Sequence, residues 1–401
     1  MSRSSRLALR TFVSFGVRYS WRARLASMFL RSPLGVPMVR LGYAGSYVDL
    51  QKSTGSTLEH RRVFAMLETI LLESVSPILP EGAVIPGQLT YLMHASPRGG
   101  NIYVSSPDDD LVFVKYIGHE HLASMLAREH ENLRFLRETL SGELAGSVPR
   151  FSVLAEVDGA HFLVIGYVKG KRMSEILTPG SPERAHVTED EIVKAIGWLA
   201  KFQEQTTTGR ASVASYRNEF DKLVGWYREI STQSGPAEKL FGDIGEVFSR
   251  SGDVDVRLVG CHGDFFPGNI LVEGGKVIVV DWETMSKGEL QTEDLFSFFL
   301  SYRVADRYHR GAFDTLESFR FVFMEGNWFS QMVAQCLMRY GAESGLSGHG
   351  VLEALFVLSL MRRSMLEAEG VLKHKMMLGQ HWQQLLECYA ADRDRSILKG
   401  L

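Results

Sequence analysis

The stretch most able to do chemistry is Cys261-His262-Gly263-Asp264-Phe265-Phe266-Pro267-Gly268-Asn269, which leads into the apolar runs Ile270-Leu271-Val272 and Val277 to Val280. Glu273-Gly274-Gly275-Lys276 separates the two runs, and Asp281-Trp282-Glu283 follows the second. Two β-type runs around a Gly-Gly pair signal a hairpin. Folding back at Gly274-Gly275 predicts that Asn269, entering the first strand, lies beside Asp281, leaving the second. An amide oxygen and a carboxylate are hard donors. They suit Mg²⁺, which keeps several waters and takes further ligands from phosphate groups. Asp264, five positions before Asn269, is predicted in the loop feeding the same end, where it can orient or deprotonate a hydroxyl.

The elements that must hold these residues follow from periodicity. Ser56-Thr57-Leu58-Glu59 has capping-box spacing, and Val63, Phe64, Leu67, Ile70, Leu71 and Val75 continue at helical spacing until Pro77. Short β-type runs over Leu89 to Met93, Ile102 to Val104 and Leu111 to Ile117 predict a three-stranded meander, with glycines in its first turn. A helix is predicted over Leu122 to Thr139, and a strand over Phe162 to Val168. A second capping box, Thr188 to Glu191, predicts the start of a helix through Ile192, Ile196, Leu199 and Phe202. Helical patterns then dominate, interrupted by the β-type residues 258 to 282. The expected fold class is α+β, a small antiparallel β-rich lobe followed by a larger, mainly helical one, with an N-terminal basic extension.

At the residues quoted first, the sequence resembles the aminoglycoside phosphotransferase and choline kinase-like family of small-molecule kinases. Its H-G-D-x-x-x-x-N and D-W-E elements are similar to His262-Gly263-Asp264 with Asn269, and to Asp281-Trp282-Glu283. The resemblance covers about residues 90 to 300 and implies a two-lobed protein kinase-like fold. It implies that Asp264 is the catalytic aspartate and that Asn269 and Asp281 hold metal ions bridging nucleotide phosphates, with ATP as the expected donor, GTP as an option and Mg²⁺ as the ion. His262 would brace the loop. Gly263 stands where protein kinases carry the arginine of H-R-D, so control by a phosphorylated activation loop is not expected. Glu293-Asp294-Leu295 resembles the family's D-L-A element, with a structural aspartate.

The same resemblance assigns the amino-terminal lobe. Val112-Phe113-Val114-Lys115 resembles the third-strand lysine motif, and Glu129, or else Glu131, would be the glutamate that holds Lys115. Gly99, Gly100 and Asn101 resemble the phosphate-covering loop, although the stretch departs from G-x-G-x-x-G. Phe162 to Gly170 would be the hinge, with backbone at Gly166, Tyr167 and Val168 reading the adenine edge; Gly166 replaces the acidic residue often found there.

The rest of the sequence bounds these expectations. The 401 residues, 45% hydrophobic and 23% charged, are globular in composition. Cys261, Cys336 and Cys388 lie far apart without a C-x-x-C pair, which excludes a disulfide framework or cysteine zinc site and predicts a reducing, cytoplasmic setting. The net charge of −3 conceals eight arginines and no acid in residues 1 to 48. Such a segment suits a transit peptide, an interfacial helix giving peripheral membrane contact, or a basic face docked on the acidic remainder. The spacing of Trp21, Leu25, Met28 and Phe29 between arginines fits the second, and equally a packed helix.

The expected organisation is a basic extension (1–48), a nucleotide-binding lobe with its leading helix (49–168) and a catalytic and acceptor-binding lobe (169–401). The expected partner is a small-molecule hydroxyl acceptor: an aminoglycoside, amino alcohol, sugar or glycan-type compound. Nine acids against five bases over residues 281 to 330 give a mild bias toward a cationic or polyhydroxyl one. A nucleotide-binding pseudokinase serving as a scaffold is the alternative class. Its usual signature is a lost metal ligand or catalytic aspartate, and none is lost here. Nucleic-acid binding would rest on the arginines alone, with no recognition module, and is not expected.

Overall fold

The computed structural model describes residues 48–49, 58–79, 89–96, 99–105, 110–118, 120–176, 185–231, 235–308, 315–348, 350–368 and 382–401. The basic segment, apart from Val48, lies outside them. The chain forms two compact units: Met1–Glu138 with Ala145–Lys171 and Val280–Glu283, and Thr139–Leu144 with Arg172–Val279 and Thr284–Leu401. The division is therefore not a single cut near residue 168. The Asp-Trp-Glu turn belongs to the first unit, although the hairpin before it belongs to the second.

The first unit is built on an antiparallel sheet of β1 (Val48–Asp49), β2 (Thr90–Ser96), β3 (Gly99–Ser105), β4 (Asp110–Ile117), β5 (Ser152–Val157) and β6 (Ala160–Gly166), in the order β1-β2-β3-β4-β6-β5. Alternation sorts its side chains by face. Ile102, Val104, Val112, Val114, Tyr116, Phe162 and Val164 form one core with helix α1 (Leu58–Ile70), which presents Val63, Met66, Leu67 and Ile70 at helical spacing. Each such side chain contributes roughly 1.5–3 kcal/mol by burial. The leading helix is thus part of the sheet's core. It does not run unbroken to Pro77: a π-helical turn over Leu71–Val75 and a 3₁₀ turn over Ser76–Ile78 follow it, which keeps Leu71 and Val75 inward.

On the opposite parity, Lys115 pairs in register with Asn101 on one side and Leu163 on the other, and Phe113 with Tyr103. Helix α2 (Glu120–Thr139) supplies the partner of Lys115. The expected meander and helix are present. Strand β5 was not foreseen; it joins β6 through Asp158-Gly159, both at positive φ (51° and 75°), as a two-residue hairpin turn requires.

The second unit holds α3 (Ala185–Gln205), α4 (Arg217–Ile230), α5 (Gly235–Arg250), α6 (Thr292–Tyr308), α7 (Thr315–Phe323), α8 (Trp328–Ser344), α9 (Val351–Ala368) and α10 (Trp382–Asp392). Every residue of α9 from Val351 to Met361 is buried, Glu353 and Ser359 included, the pattern of a central helix covered on all sides. Helix α3 begins at Ala185, so Thr188–Glu191 lies within its first two turns instead of starting it. The short strands β7 (Gly209–Ser212), β8 (Asp255–Cys261) and β11 (Ser286–Leu290) pair antiparallel with β8 central, while β9 (Ile270–Glu273) and β10 (Lys276–Val279) form the expected hairpin. Gly274 and Gly275 sit at φ +56° and +82°, the left-handed turn their sequence encodes.

Candidate active site

Within the first unit, β4 carries Lys115 on the face away from the α1 core. Its ammonium donates to Glu129 Oε2 at 2.6 Å and to Asp281 Oδ1 at 2.5 Å. Glu129 is therefore the partner chosen from α2, while Glu131 faces outward and pairs with Arg134. Burial opposes the charge on Lys115, but the carboxylates of Glu129 and Asp281 outweigh it and hold the amine protonated. Burial also pushes the Glu129 carboxyl up; Lys115 pulls it back, and Asp281 adds a second push upward. Asn132, one turn along α2 from Glu129, donates to the Trp282 carbonyl at 2.8 Å and so pins the Asp281-Trp282-Glu283 turn to the same helix. Asp281 takes φ +71°, a conformation that costs a non-glycine residue on the order of 1–3 kcal/mol.

Glu129, Asp281 and Glu283 each offer an oxygen within 4.8 Å of the others, and Glu129 Oε1, fully buried, has no hydrogen-bond partner. Hard oxygens with one orphaned acceptor form a donor set that fits Mg²⁺.

The second unit builds the loop that carries Asp264. Its anchor is Asp294 on α6, one oxygen accepting the His262 amide at 2.6 Å and the other the Gly263 amide at 3.0 Å. Thr284 Oγ1 donates to the His262 carbonyl at 2.8 Å, and the buried His262 accepts the Asp264 amide through Nδ1 at 3.2 Å. His262 thus braces the loop. Gly263 sits at φ +78°, and a Cβ there would stand 2.7 Å from the Thr284 carbonyl oxygen. Phe265 anchors the next position, its ring stacked 5.7 Å from Trp198 and packed against Phe298. Asn269 Nδ2 donates to both the Asp264 carbonyl and Asp264 Oδ2, each at 3.1 Å. The amide nitrogen is thereby committed to Asp264, which orients the Asn269 oxygen the other way. Ile270 pairs with Val279, so Asn269 enters the hairpin one residue before this pair and Asp281 leaves two residues after it.

Gly99, Gly100 and Asn101 are not a loop: they pair with Ser96, Ala95 and His94 of β2, and Gly100 and Asn101 also pair with Tyr116 and Lys115 of β4. The ladders engage Gly100 and Asn101 on both sides, while Gly99 pairs with β2 alone and borders the turn. The turn itself, Pro97-Arg98, lies outside the described residues. In the expected hinge, the Gly166 amide donates to the Phe151 carbonyl and the Tyr167 amide to the Leu111 carbonyl, so both are spent on the sheet, and Val168 is the first position beyond these bonds. Sequence reasoning also passed over Tyr103 and Phe113. Their half-buried rings, 5.1 Å apart, share the parity of Lys115. The two-residue alternation with Lys115 was the available signal. Phe298 and Phe299 on α6 are core.

Comparison with known proteins places this arrangement. A model of the phosphotransferase enzyme family matches residues 96–321, and the chain belongs to that family, with its protein kinase-like fold. It is a kinase-type phosphotransferase acting on alcohol groups. Among solved structures, a choline kinase from Streptococcus pneumoniae is 15% identical, with 81% of this chain and 99% of that one covered and a TM-score of 0.43. A macrolide 2'-phosphotransferase from Brachybacterium faecium is 13% identical over 82% and 97%, with a TM-score of 0.44. An aminoglycoside phosphotransferase from Alicyclobacillus acidocaldarius is 14% identical over 80% and 92%, with a TM-score of 0.41. A search of curated proteins gave no match. Among the described residues no helix is long and apolar enough to cross a membrane.

Proposed function

We propose that the protein transfers the γ-phosphoryl group of ATP to a hydroxyl of a small molecule of the aminoglycoside, amino alcohol, sugar or glycan type. The observation that carries this reading is the pairing of Lys115 with both Glu129 and Asp281, which keeps an ammonium and a carboxylate at one point of the sheet face. Asp264 orients the acceptor hydroxyl and accepts its proton as the oxygen attacks phosphorus and the bond to ADP breaks. Lys115 neutralises phosphate charge. Asn269 and Asp281 would hold Mg²⁺, which when bound offsets the charge on the bridging phosphate oxygens. Tyr103 and Phe113 supply aromatic surface on the lysine face for the nucleobase, and an edge-reading backbone donor would come from Val168 or beyond.

The acceptor seat belongs to the helical unit, where residues 284 to 330 hold seven acids and five bases. Peripheral membrane contact through the arginines of residues 1 to 48 would suit a lipid-linked acceptor.

The test needs no acceptor. A nucleotide at 100 times its dissociation constant adds about 2.7 kcal/mol to folding, so Mg²⁺ with ATP should raise the melting temperature of the wild type and not of Asp281→Ala. Asp264→Asn should keep that rise and lose transfer. No rise with ATP or GTP would overturn the reading in favour of a scaffold.

A further inference from the structure

The first unit holds a second cluster of chemistry-bearing side chains, where α2 meets the start of β5. Ser152 is the first residue of β5, half-buried, on a strand that pairs with β6 and forms one edge of the sheet. Arg137 Nη2 donates to its Oγ at 3.1 Å, and His130 Nδ1 lies 3.0 Å from the same oxygen. Seven positions apart on α2, His130 and Arg137 share one helix face. The guanidinium is held there without an anion. Among the described residues Arg137 has no carboxylate at ion-pair distance, and its Nη1 is buried with no hydrogen-bond partner. Burial opposes its charge, and Glu138, its chain neighbour, offsets this only from a distance. A guanidinium fork matches a carboxylate or a phosphate far better than a neutral hydroxyl. His130 shows the same imbalance: burial keeps the ring neutral, and Arg137 and Arg134 reinforce this against Glu131. In the tautomer with its hydrogen on Nε2, the ring receives the Ser152 proton at Nδ1 while Arg137 steadies the oxygen, the arrangement of an activated serine.

We propose that Ser152 is a phosphorylation site, its phosphate received by Arg137 and His130. The Ser152 oxygen attacks the γ-phosphorus of ATP presented by a protein kinase acting in trans, the bond to ADP breaks, and the hydroxyl proton passes to His130 Nδ1. The product is a phosphoserine beside one guanidinium and one imidazolium, so a cluster that lacks an anion gains one. The modification would fasten α2 to β5. Glu129, which holds Lys115, is the residue before His130 on that helix, so the mark bears on the element that positions the lysine. The inference does not rest on the transfer reaction and holds equally for a scaffold.

The test has two arms. In the first, phosphoserine is encoded genetically at position 152 of the full chain. The modified chain should melt about 2–4 °C above the unmodified one. Its His130 imidazole should titrate above 6.5, because the phosphate favours the charged ring. Arg137→Gln in the phosphoserine chain should remove most of the gain in melting temperature. A modified chain that fails to fold, melts lower, or leaves the His130 midpoint below 6.5 overturns the proposal, since the cluster would then be a neutral bridge between α2 and β5. In the second arm, the unaltered chain is purified from the cells that make it and its peptides are sequenced by mass spectrometry. Phosphate on Ser152 is expected. Its absence from the Ser152 peptide in both growing and resting cells overturns the proposal, whatever the first arm shows.

Discussion

Lys115 and Asp281 are 166 positions apart in the chain, yet the ammonium of one donates to the carboxylate of the other at 2.5 Å. The contact joins the strand that bears Lys115 to the turn that bears Asp281, a turn that α2 also holds through Asn132 and the Trp282 carbonyl. Glu129 completes it from α2. The arrangement makes the lysine a structural counter-ion in the nucleotide-free protein as well as a phosphate ligand in the proposed one.

That double duty predicts a non-additive pair. Lys115→Met leaves Glu129 buried without its cation, and removing one partner of a buried ion pair typically costs about 3–5 kcal/mol. Lys115→Met with Glu129→Gln should cost clearly less than the lysine change alone, since the uncompensated charge has gone too. Urea unfolding of the two single variants and the double gives the coupling. Additive effects would show that the ammonium is held by Asp281 in solution and not by Glu129.

The left-handed backbone at Asp281 predicts a ranking of substitutions. Asp281→Ala keeps a Cβ at φ +71°, whereas Asp281→Gly removes the steric penalty, so the glycine variant should be more stable than the alanine variant by about 1 kcal/mol. Both should lose the melting shift with Mg²⁺ and ATP. Equal stabilities would mean that the turn relaxes once the carboxylate is gone.

What the sequence disclosed depended on how local the signal was. The Gly274-Gly275 hairpin, the Lys115 strand and the α2 helix are written in neighbouring residues, and they formed as read. Strand β5 was equally legible from Asp158-Gly159 between two β-type runs, and was missed because Ser152 and Glu156 dilute its apolar pattern. Strands β7 and β11, Gly209–Ser212 and Ser286–Leu290, carry almost no apolar residues and exist because β8 lies between them, a pairing no window can show. Gly99-Gly100 misled in the opposite sense. Two glycines read as a loop, but they extend strand β3, Gly99 paired to β2 and Gly100 to both β2 and β4. The choice of Glu129 over Glu131 was likewise settled by the face of α2 that meets the sheet.

A pH dependence of stability should trace to His130 on α2, whose Nδ1 lies 3.0 Å from Ser152 Oγ, a group that Arg137 also reaches at 3.1 Å. Burial lowers its pKa first; Glu131 opposes this, and the cations of Arg137 and Arg134 reinforce it. The folded protein therefore binds this proton less readily than the unfolded chain. The neutral form costs nothing at high pH, and stability should fall as pH drops through the unfolded value of about 6.5 toward the lower folded one. His130→Gln should flatten that part of the unfolding profile, and the imidazole resonances of the wild type should titrate below 6.5. A midpoint above 6.5 would reverse the sign and overturn the argument.

The loop bearing Asp264 is held by bonds whose loss should separate binding from transfer. Asp294 uses both oxygens on successive amides, and an asparagine in its place has one acceptor and one donor, so one amide must go unpaired. Gly263→Ala strikes the same loop differently, setting a Cβ 2.7 Å from the Thr284 carbonyl at a φ of +78°. Neither residue belongs to the unit that holds Lys115, so both variants should retain most of the melting shift with Mg²⁺ and ATP. Transfer is another matter. A displacement of about 1 Å in a group that must meet a hydroxyl lowers turnover on the order of 100-fold, and both variants should show that loss in kcat. Hydrogen exchange should quicken at the amides of 262 and 263 in Asp294→Asn. Undiminished turnover in both would mean that Asp264 is not positioned by this loop anchor, and the assignment of Asp264 as the base would have to be given up with it.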